Sequence, residues 1–157
     1  MVRQGFVLWG LFAITACTRT VATTSVVPAS ATAISTGGSI GAATSRGAIE
    51  GFMAAVKAQD LQGMSAMWGT NKGAARDLMK REEMEKRLVV MQCLLMHDKW
   101  SFAEEQARLL TGGHQQFLVQ IQRKQVTAKT VFSTVPGPGG RWLVENVEVA
   151  PLKDFCS

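Results

Sequence analysis

Three cysteines are the residues of this 157-residue chain whose side chains offer the most chemistry. A cysteine can carry a lipid, form a disulfide, bind a metal or act as a nucleophile, and its surroundings decide which. Cys17 directly follows an apolar stretch, whereas Cys93 and Cys156 lie in the C-terminal two thirds of the chain. Neither of these two has a Cys-x-x-Cys motif or a paired histidine nearby, so we expect no thiol catalysis.

The two histidines, His97 and His114, are the next candidates, because an imidazole oriented by a carboxylate can act as a general base. His97 is followed directly by Asp98, but adjacent side chains in an extended segment point to opposite faces. We therefore predict a helix-ending histidine and a turn residue, with no catalytic residues. Two further acids, Glu104 and Glu145, could face a pocket, but no pattern distinguishes them.

Other chemistries lack the residues that they need. A zinc site requires three or four convergent ligands, and no spacing in the chain offers them, so we predict no metal and no cofactor. Arg123-Lys124 has no interleaved aromatic residues, so no nucleic-acid partner is predicted.

Six aromatic side chains are candidates for lining a pocket that would bind a small apolar ligand. Aromatic residues at these spacings also serve to fill a core, which is their commoner role. The six are Trp68, Trp100, Phe102, Phe117, Phe132 and Trp142.

Residues 1–16 have the layout of a secretory signal peptide. A basic start with Arg3 precedes an apolar core that is too short to cross about 30 Å of hydrocarbon. The segment Ile14-Thr15-Ala16-Cys17 resembles the lipobox of bacterial lipoproteins. An ordinary signal peptide with a coincidental cysteine, or an uncleaved anchor, is the alternative.

The lipobox resemblance implies that the signal is removed and that Cys17 becomes the acylated amino terminus. Two or three acyl chains anchor a protein stably where one does not. The chain is then expected in the bacterial cell envelope, held to a membrane by its lipid. Thr18 follows the cysteine where an Asp tends to retain Gram-negative lipoproteins in the inner membrane, so the resemblance favours the outer membrane.

Residues 17–46 read as a flexible tether after the lipidated cysteine. Of the 29 residues from Thr18 to Arg46, 21 are Thr, Ser, Ala or Gly, and none is acidic or aromatic. Such a segment cannot bury enough apolar surface to offset the entropy of ordering it. An edge strand through Val21, Val26 and Val27 is the competing interpretation.

Residues 47–157 carry the predicted fold, and their first half predicts helices. Apolar residues at the spacing i, i+3, i+4, i+7 indicate a helix over 48–58. Asp60 is suited to cap a second short helix. A third helical stretch, 74–96, is interrupted near Lys80. The stripe of the first helix consists of Ile49, Phe52, Met53 and Val56.

The second half of this region predicts strands separated by turns. Helices followed by four consecutive antiparallel strands give an α+β architecture, in which N-terminal helices pack on a curved four-stranded sheet. The candidate strands are 100–110, 115–123, 126–135 and 142–149.

The same region resembles nuclear transport factor 2-like domains. The opening helix Ala48–Ala58 and the segment Met64–Trp68 are similar to the start of these domains, and Gly139–Val147 is similar to their last hairpin. The resemblance covers most of residues 47–157 at the level of fold. It implies a conical α+β barrel with a pocket between sheet and helices. Enzymes and binding proteins share this fold, so it does not determine the function.

With Cys17 assigned to lipid, Cys93 and Cys156 remain in an exported domain, where oxidising conditions favour a disulfide. We predict that they pair with each other. A buried free thiol at Cys93 and an intermolecular bridge from Cys156 are the alternatives, because sequence does not determine connectivity.

The predicted function is that of a membrane-anchored cell-envelope lipoprotein with a non-catalytic module, which binds a small apolar ligand or a protein partner. The alternative is a pocket enzyme of isomerase or hydrolase type on the same fold. Isomerases of this family use a carboxylate base with a phenolic or acidic donor, and the absence of tyrosine weakens that alternative.

Overall fold

The computed structural model describes residues 39–156. The predicted signal peptide 1–16, the predicted lipidation site Cys17 and the tether up to residue 38 lie outside the described residues. The described part is a mixed α+β domain with four α-helices packed with an antiparallel sheet. The helices are α1 (Ser45–Ala58), α2 (Leu61–Met67), α3 (Ala75–Leu78) and α4 (Arg81–Leu95).

Helices α1 and α2 begin at residues whose side-chain oxygens cap them. Thr44 Oγ1 accepts from the Gly47 amide at 3.0 Å, and the Asp60 carboxylate accepts from the amides of Gln62 and Gly63 at 3.0 Å. These bonds satisfy amide groups that the first turn of a helix leaves unpaired. The predicted cap at Asp60 is confirmed. The predicted stripe of α1, formed by Ile49, Phe52, Met53 and Val56, is fully buried.

The predicted third helical stretch consists of two helices. Helix α3 ends at Leu78 and α4 begins at Arg81, which confirms the predicted interruption near Lys80. Ion pairs between exposed side chains four residues apart lie along α4. Exposed pairs of this kind add little stability, so the buried apolar side of the helix holds it in place. The ion pairs are Arg81–Glu85, Glu82–Lys86 and Glu83–Arg87, and the buried residues are Met84, Leu88 and Leu95.

The main sheet is antiparallel, with strand order β3-β5-β6-β7, and β4 pairs with β5 as well. The predicted strand 115–123 has the predicted bounds, and the predicted strand 126–135 extends one residue further, to Pro136. A two-residue turn joins them. A small separate hairpin, β1-β2, lies between α2 and α3. The strands are β1 (Gly69–Thr70), β2 (Gly73–Ala74), β3 (Lys99–Phe102), β4 (Arg108–Leu109), β5 (Gln115–Arg123), β6 (Val126–Pro136) and β7 (Trp142–Val147).

The predicted single strand over 100–110 is wrong. Two short strands, β3 and β4, take its place, separated by residues 103–107. The intervening sequence Ala-Glu-Glu-Gln-Ala consists of residues that are depleted in strands and offers no apolar alternation, which accounts for the break.

The predicted last strand over 142–149 ends two residues early, at Val147. The chain then forms a 3-10 helix, Ala150–Cys156, whose Leu152 and Phe155 are buried in the main core. These two apolar side chains fix the C-terminal tail against α4 and β6.

The predicted boundary between tether and domain at residue 46 is corrected. The amide of Gly41 donates to the Ala66 carbonyl at 2.9 Å, and Ala42 forms a bridge with Trp142 beside β7. Gly41 has φ +63°, and a Cβ there would lie 2.7 Å from the Trp142 carbonyl oxygen, so only glycine allows this approach. The domain therefore includes residues 40–46. Their composition is that of a linker, but the backbone of Gly41 and Ala42 is hydrogen-bonded to the domain.

Candidate functional site

The six aromatic candidates pack as core and core margin. Phe117 and Phe132 are buried, and the other four pack against the same cluster while partly exposed. Phe102 contacts Trp100 and Phe117 at ring-centroid distances of 5.2 and 5.4 Å, and the Arg46 guanidinium lies 4.0 Å from the centre of its ring. None of the six lines either of the two surface cavities described below. Their packing against the main core matches the alternative role of filling a core, and the pocket-lining role stays a prediction.

His97 and Asp98 point to different partners. His97 is buried, and its Nδ1 donates to the Leu95 carbonyl at 2.9 Å. Burial lowers the pKa of His97, with the nearby Lys57 adding to that effect and the Leu95 bond and Asp98 opposing it. The Asp98 carboxylate accepts from the Lys124 amide at 2.7 Å, at the turn between β5 and β6. The two neighbours therefore do not form a catalytic pair.

His114 instead meets Glu145, which lies 31 residues further along the chain. The Nδ1 of His114 donates to Oε2 of Glu145 at 2.7 Å. Both side chains are partly exposed, 29% for the imidazole and 30% for the carboxylate. A carboxylate at Nδ1 orients an imidazole so that its other nitrogen can exchange a proton with a bound molecule. Sequence reasoning considered each residue separately and missed the pair.

A bulge in β7 positions Glu145. Ser133 of β6 pairs with Asn146 and Thr134 pairs with Val144, so Glu145 is the extra residue between them. Bulges re-aim a side chain and are common next to functional sites. The Trp68 indole also donates to the Glu145 carbonyl at 3.4 Å. The backbone of Glu145 is therefore held by its strand and by Trp68, while its carboxylate bonds to His114.

His114, the residue that bonds to the Glu145 carboxylate, follows a turn that contains two glycines. Gly112 and Gly113 have φ +75° and +79°, a conformation that favours glycine. Next to this turn, Ser45 at the start of α1 donates to Oε1 of Gln115 at 2.6 Å. In residues 39–156 no group of three or more His, Cys, Asp or Glu side chains is arranged to hold a metal ion. An imidazole with a carboxylate at Nδ1 can transfer a proton and form hydrogen bonds through its other nitrogen.

The larger of the two cavities is a groove of about 240 Å³ beside the point where the described chain begins. Ile40, Ala74 and Leu143 form its apolar floor, and they belong to a small apolar cluster separate from the main core. Lys72 and Arg141 are among the charged residues at its rim. The guanidinium of Arg141 donates to the main-chain carbonyls of Ile40 at 3.2 Å and Gly41 at 2.6 Å. We call this cavity the entry groove.

The smaller cavity, of about 40 Å³, adjoins the paired cysteines at the other end of the chain. Cys93 and Cys156 lie at disulfide distance, with their Cα atoms 5.4 Å apart, so the predicted pairing is present in the structure. The Arg123 guanidinium donates to the carbonyls of Cys93, at 3.3 Å, and Phe155. Arg123 thus joins the same two segments as the cysteine pair.

The chain matches no protein-family model, and a search of curated proteins finds no match to it. Among the helices of residues 39–156, none has the length and apolar character to cross a membrane.

Proposed function

We propose that this chain is a lipoprotein of the bacterial cell envelope, anchored through Cys17, with a nuclear transport factor 2-like domain that binds a ligand or partner without catalysis. The anchor rests on the segment Ile14-Thr15-Ala16-Cys17 and on the apolar stretch before it. Thr18 favours the outer membrane. The domain rests on the order of its helices and on the antiparallel sheet that they cover.

The observation that carries the non-catalytic role is the filled space between helices and sheet. An enzyme pocket of this fold would need an open cavity with a buried carboxylate of shifted pKa. Here the side chains of Phe52, Met53, Met64 and Phe132 occupy the interior and are each fully buried. Among residues 39–156, the buried polar residues are Ser65, His97, Thr130, Ser133 and Thr134, with no carboxylate. This arrangement favours recognition at the surface, by a small apolar ligand or a protein partner.

The anchor is tested by comparing the wild-type chain with Cys17→Ser in bacterial cells fed radioactive palmitate. We expect the wild type to incorporate label and to sediment with the outer membrane, and the variant to lose both properties. Cys156→Ser is the matched control, and it should keep the label. Label that persists in Cys17→Ser, or membrane attachment that is unchanged by it, would contradict the proposal.

A pocket enzyme is the second candidate, and the His114–Glu145 pair is the observation that favours it. An oriented imidazole at a partly exposed site hydrolyses activated esters by general-base or nucleophilic attack. Hydrolysis of p-nitrophenyl acetate should then fall to the background rate in His114→Gln and decrease in Glu145→Gln. Glu104→Gln, at an exposed acid, is the control. A wild-type rate no greater than that of His114→Gln would exclude this candidate.

A further inference from the structure

The entry groove combines an apolar floor with positive charge. Its floor of Ile40, Ala74 and Leu143 is continued by Leu78, which lies beside Gly73 and is 48% exposed. An exposed leucine next to an apolar cavity is a surface that contact with a partner would remove from water.

The charges at the rim do not cancel. The Asp77 carboxylate has the Arg76 guanidinium 3.9 Å away. By contrast, Arg141 donates its hydrogen bonds to main-chain carbonyls, and Lys72 has no carboxylate partner among residues 39–156. Two uncompensated cations above an apolar floor match the phosphate groups and the upper acyl region of an anionic phospholipid layer.

The groove also lies where the chain from the anchor joins the domain. Ile40 lines the groove, and Arg141 fixes the carbonyls of Ile40 and Gly41 at its rim. From Cys17 to Ser39 there are 22 peptide steps, which reach at most about 75 Å when fully extended. A lipid on Cys17 would hold this rim close to the membrane at a high effective concentration.

We propose that the entry groove and Leu78 form a docking surface for the anionic phospholipid membrane to which the chain is tethered. The proposal rests on the lipid-anchored function stated above, which makes the membrane the nearest partner. Docking orients the domain, with the groove toward the lipid.

Vesicle co-sedimentation tests the docking with the mature chain carrying Cys17→Ser, which cannot hold a lipid. The vesicles contain equal phosphatidylcholine and phosphatidylglycerol, or phosphatidylcholine alone. We expect binding to the anionic vesicles only, and weaker binding when the salt is raised from 50 to 300 mM. Lys72→Gln should lower the partition coefficient about fivefold, the effect of one basic residue near an anionic surface, and Leu78→Asp should lower it further.

Lys129→Gln is the matched control, because Lys129 is also exposed but lies far from the groove. Val135 of β6 packs with Ala74 and Leu143 in the apolar cluster of the groove floor, and Lys129 lies six residues before it, about 20 Å away at the rise of a strand. Equal losses for Lys72→Gln and Lys129→Gln, or equal binding to neutral vesicles, would overturn the docking surface. So would photo-crosslinking from position 72 to residues 18–38 or to a second copy, which would identify a protein occupant. Because the assay uses an unlipidated chain, failure of the docking is distinguishable from failure of the anchor.

Discussion

At each end of the domain, one arginine side chain donates hydrogen bonds to two main-chain carbonyls, but the two ends differ in one respect. At the C-terminal end, Arg123 donates to the carbonyls of Cys93 and Phe155, and at the N-terminal end Arg141 donates to those of Ile40 and Gly41. Both arginines tie a terminal segment to the sheet. Within residues 39–156, only the C-terminal end adds a covalent bond, between Cys93 and Cys156.

The difference indicates how each end responds to perturbation. The covalent link keeps the C-terminal tail next to α4, the helix that carries Cys93, even when its hydrogen bonds break. The N-terminal segment has no such link in residues 39–156, so its attachment depends on Arg141, on the Gly41 and Ala42 backbone bonds and on burial of Ile40. We therefore expect the N-terminal segment at the entry groove to open more readily than the C-terminal tail, and the cysteine-pair end to respond to reduction.

Removing the disulfide is expected to have the largest effect. The cysteines are 63 residues apart, and closing a loop of that length in the unfolded chain corresponds to about 4 kcal/mol in the chain-entropy model. Urea unfolding of the Cys17→Ser chain, with and without dithiothreitol, measures the difference. The Cys93→Ala/Cys156→Ala double variant is the control and should not respond to the reductant. An unchanged midpoint for the wild-type pair would indicate free thiols.

Arg141→Ala should have the second-largest effect, a loss of about 2–3 kcal/mol, because two carbonyls lose a charged donor and no covalent bond retains the segment. The loss should be local. Hydrogen exchange followed by mass spectrometry should show faster exchange of the Gly41 and Ala42 amides, which donate to Ala66 and Trp142. Protection of these amides at the wild-type level would contradict the role assigned to Arg141.

Arg123→Ala is expected to cost less, about 1–2 kcal/mol under oxidising conditions, although it also removes two bonds to carbonyls. The disulfide keeps the tail in position, so water or a neighbouring donor can replace the guanidinium. After reduction the same substitution should cost as much as Arg141→Ala. A double-mutant cycle between Arg123→Ala and the cysteine double variant measures this coupling. Equal costs before and after reduction would mean that the two links act independently.

Local signals in the sequence predicted the parts of the fold that depend on neighbours along the chain. The stripe of α1, the cap at Asp60 and the alternation of β5 are each determined within a few residues, and all are present. The mixed α+β class follows from their order. The break between β3 and β4 was missed because apolar residues on both sides suggested one continuous strand.

The candidate sites could not be predicted in the same way, because distant segments build them. The His114–Glu145 pair depends on the register of β5, β6 and β7 and on one inserted residue in β7. The entry groove joins Ile40, Lys72 and Arg141, which no spacing rule connects. The packing of residues 40–46 could not be predicted, because small and hydroxylated residues are equally common in a flexible linker and in a segment whose backbone bonds to a domain.

Acid should act on the cysteine-pair end, and its effect is the smallest predicted here. His97 follows α4, the helix that carries Cys93, and its carbonyl accepts from Lys57 Nζ at 2.6 Å. Because burial lowers the pKa of His97, the unfolded chain binds more protons than the native one once the pH falls below about 6.5. The stability that the neutral imidazole contributes is complete above that pH and is lost as the pH falls through the lowered native pKa.

The slope from this one group is at most about 1.4 kcal/mol per pH unit. Unfolding free energies measured from pH 8 to pH 5 should be flat at first and then fall, and His97→Gln, whose amide can still donate to the Leu95 carbonyl, should flatten the acid limb. When the pH is lowered from 8 to 5.5, opening of the last turn of α4, measured by hydrogen exchange, should increase by a larger factor than opening at the Gly41 and Ala42 amides. An equal or larger increase at Gly41 and Ala42 would mean that acid does not act through His97.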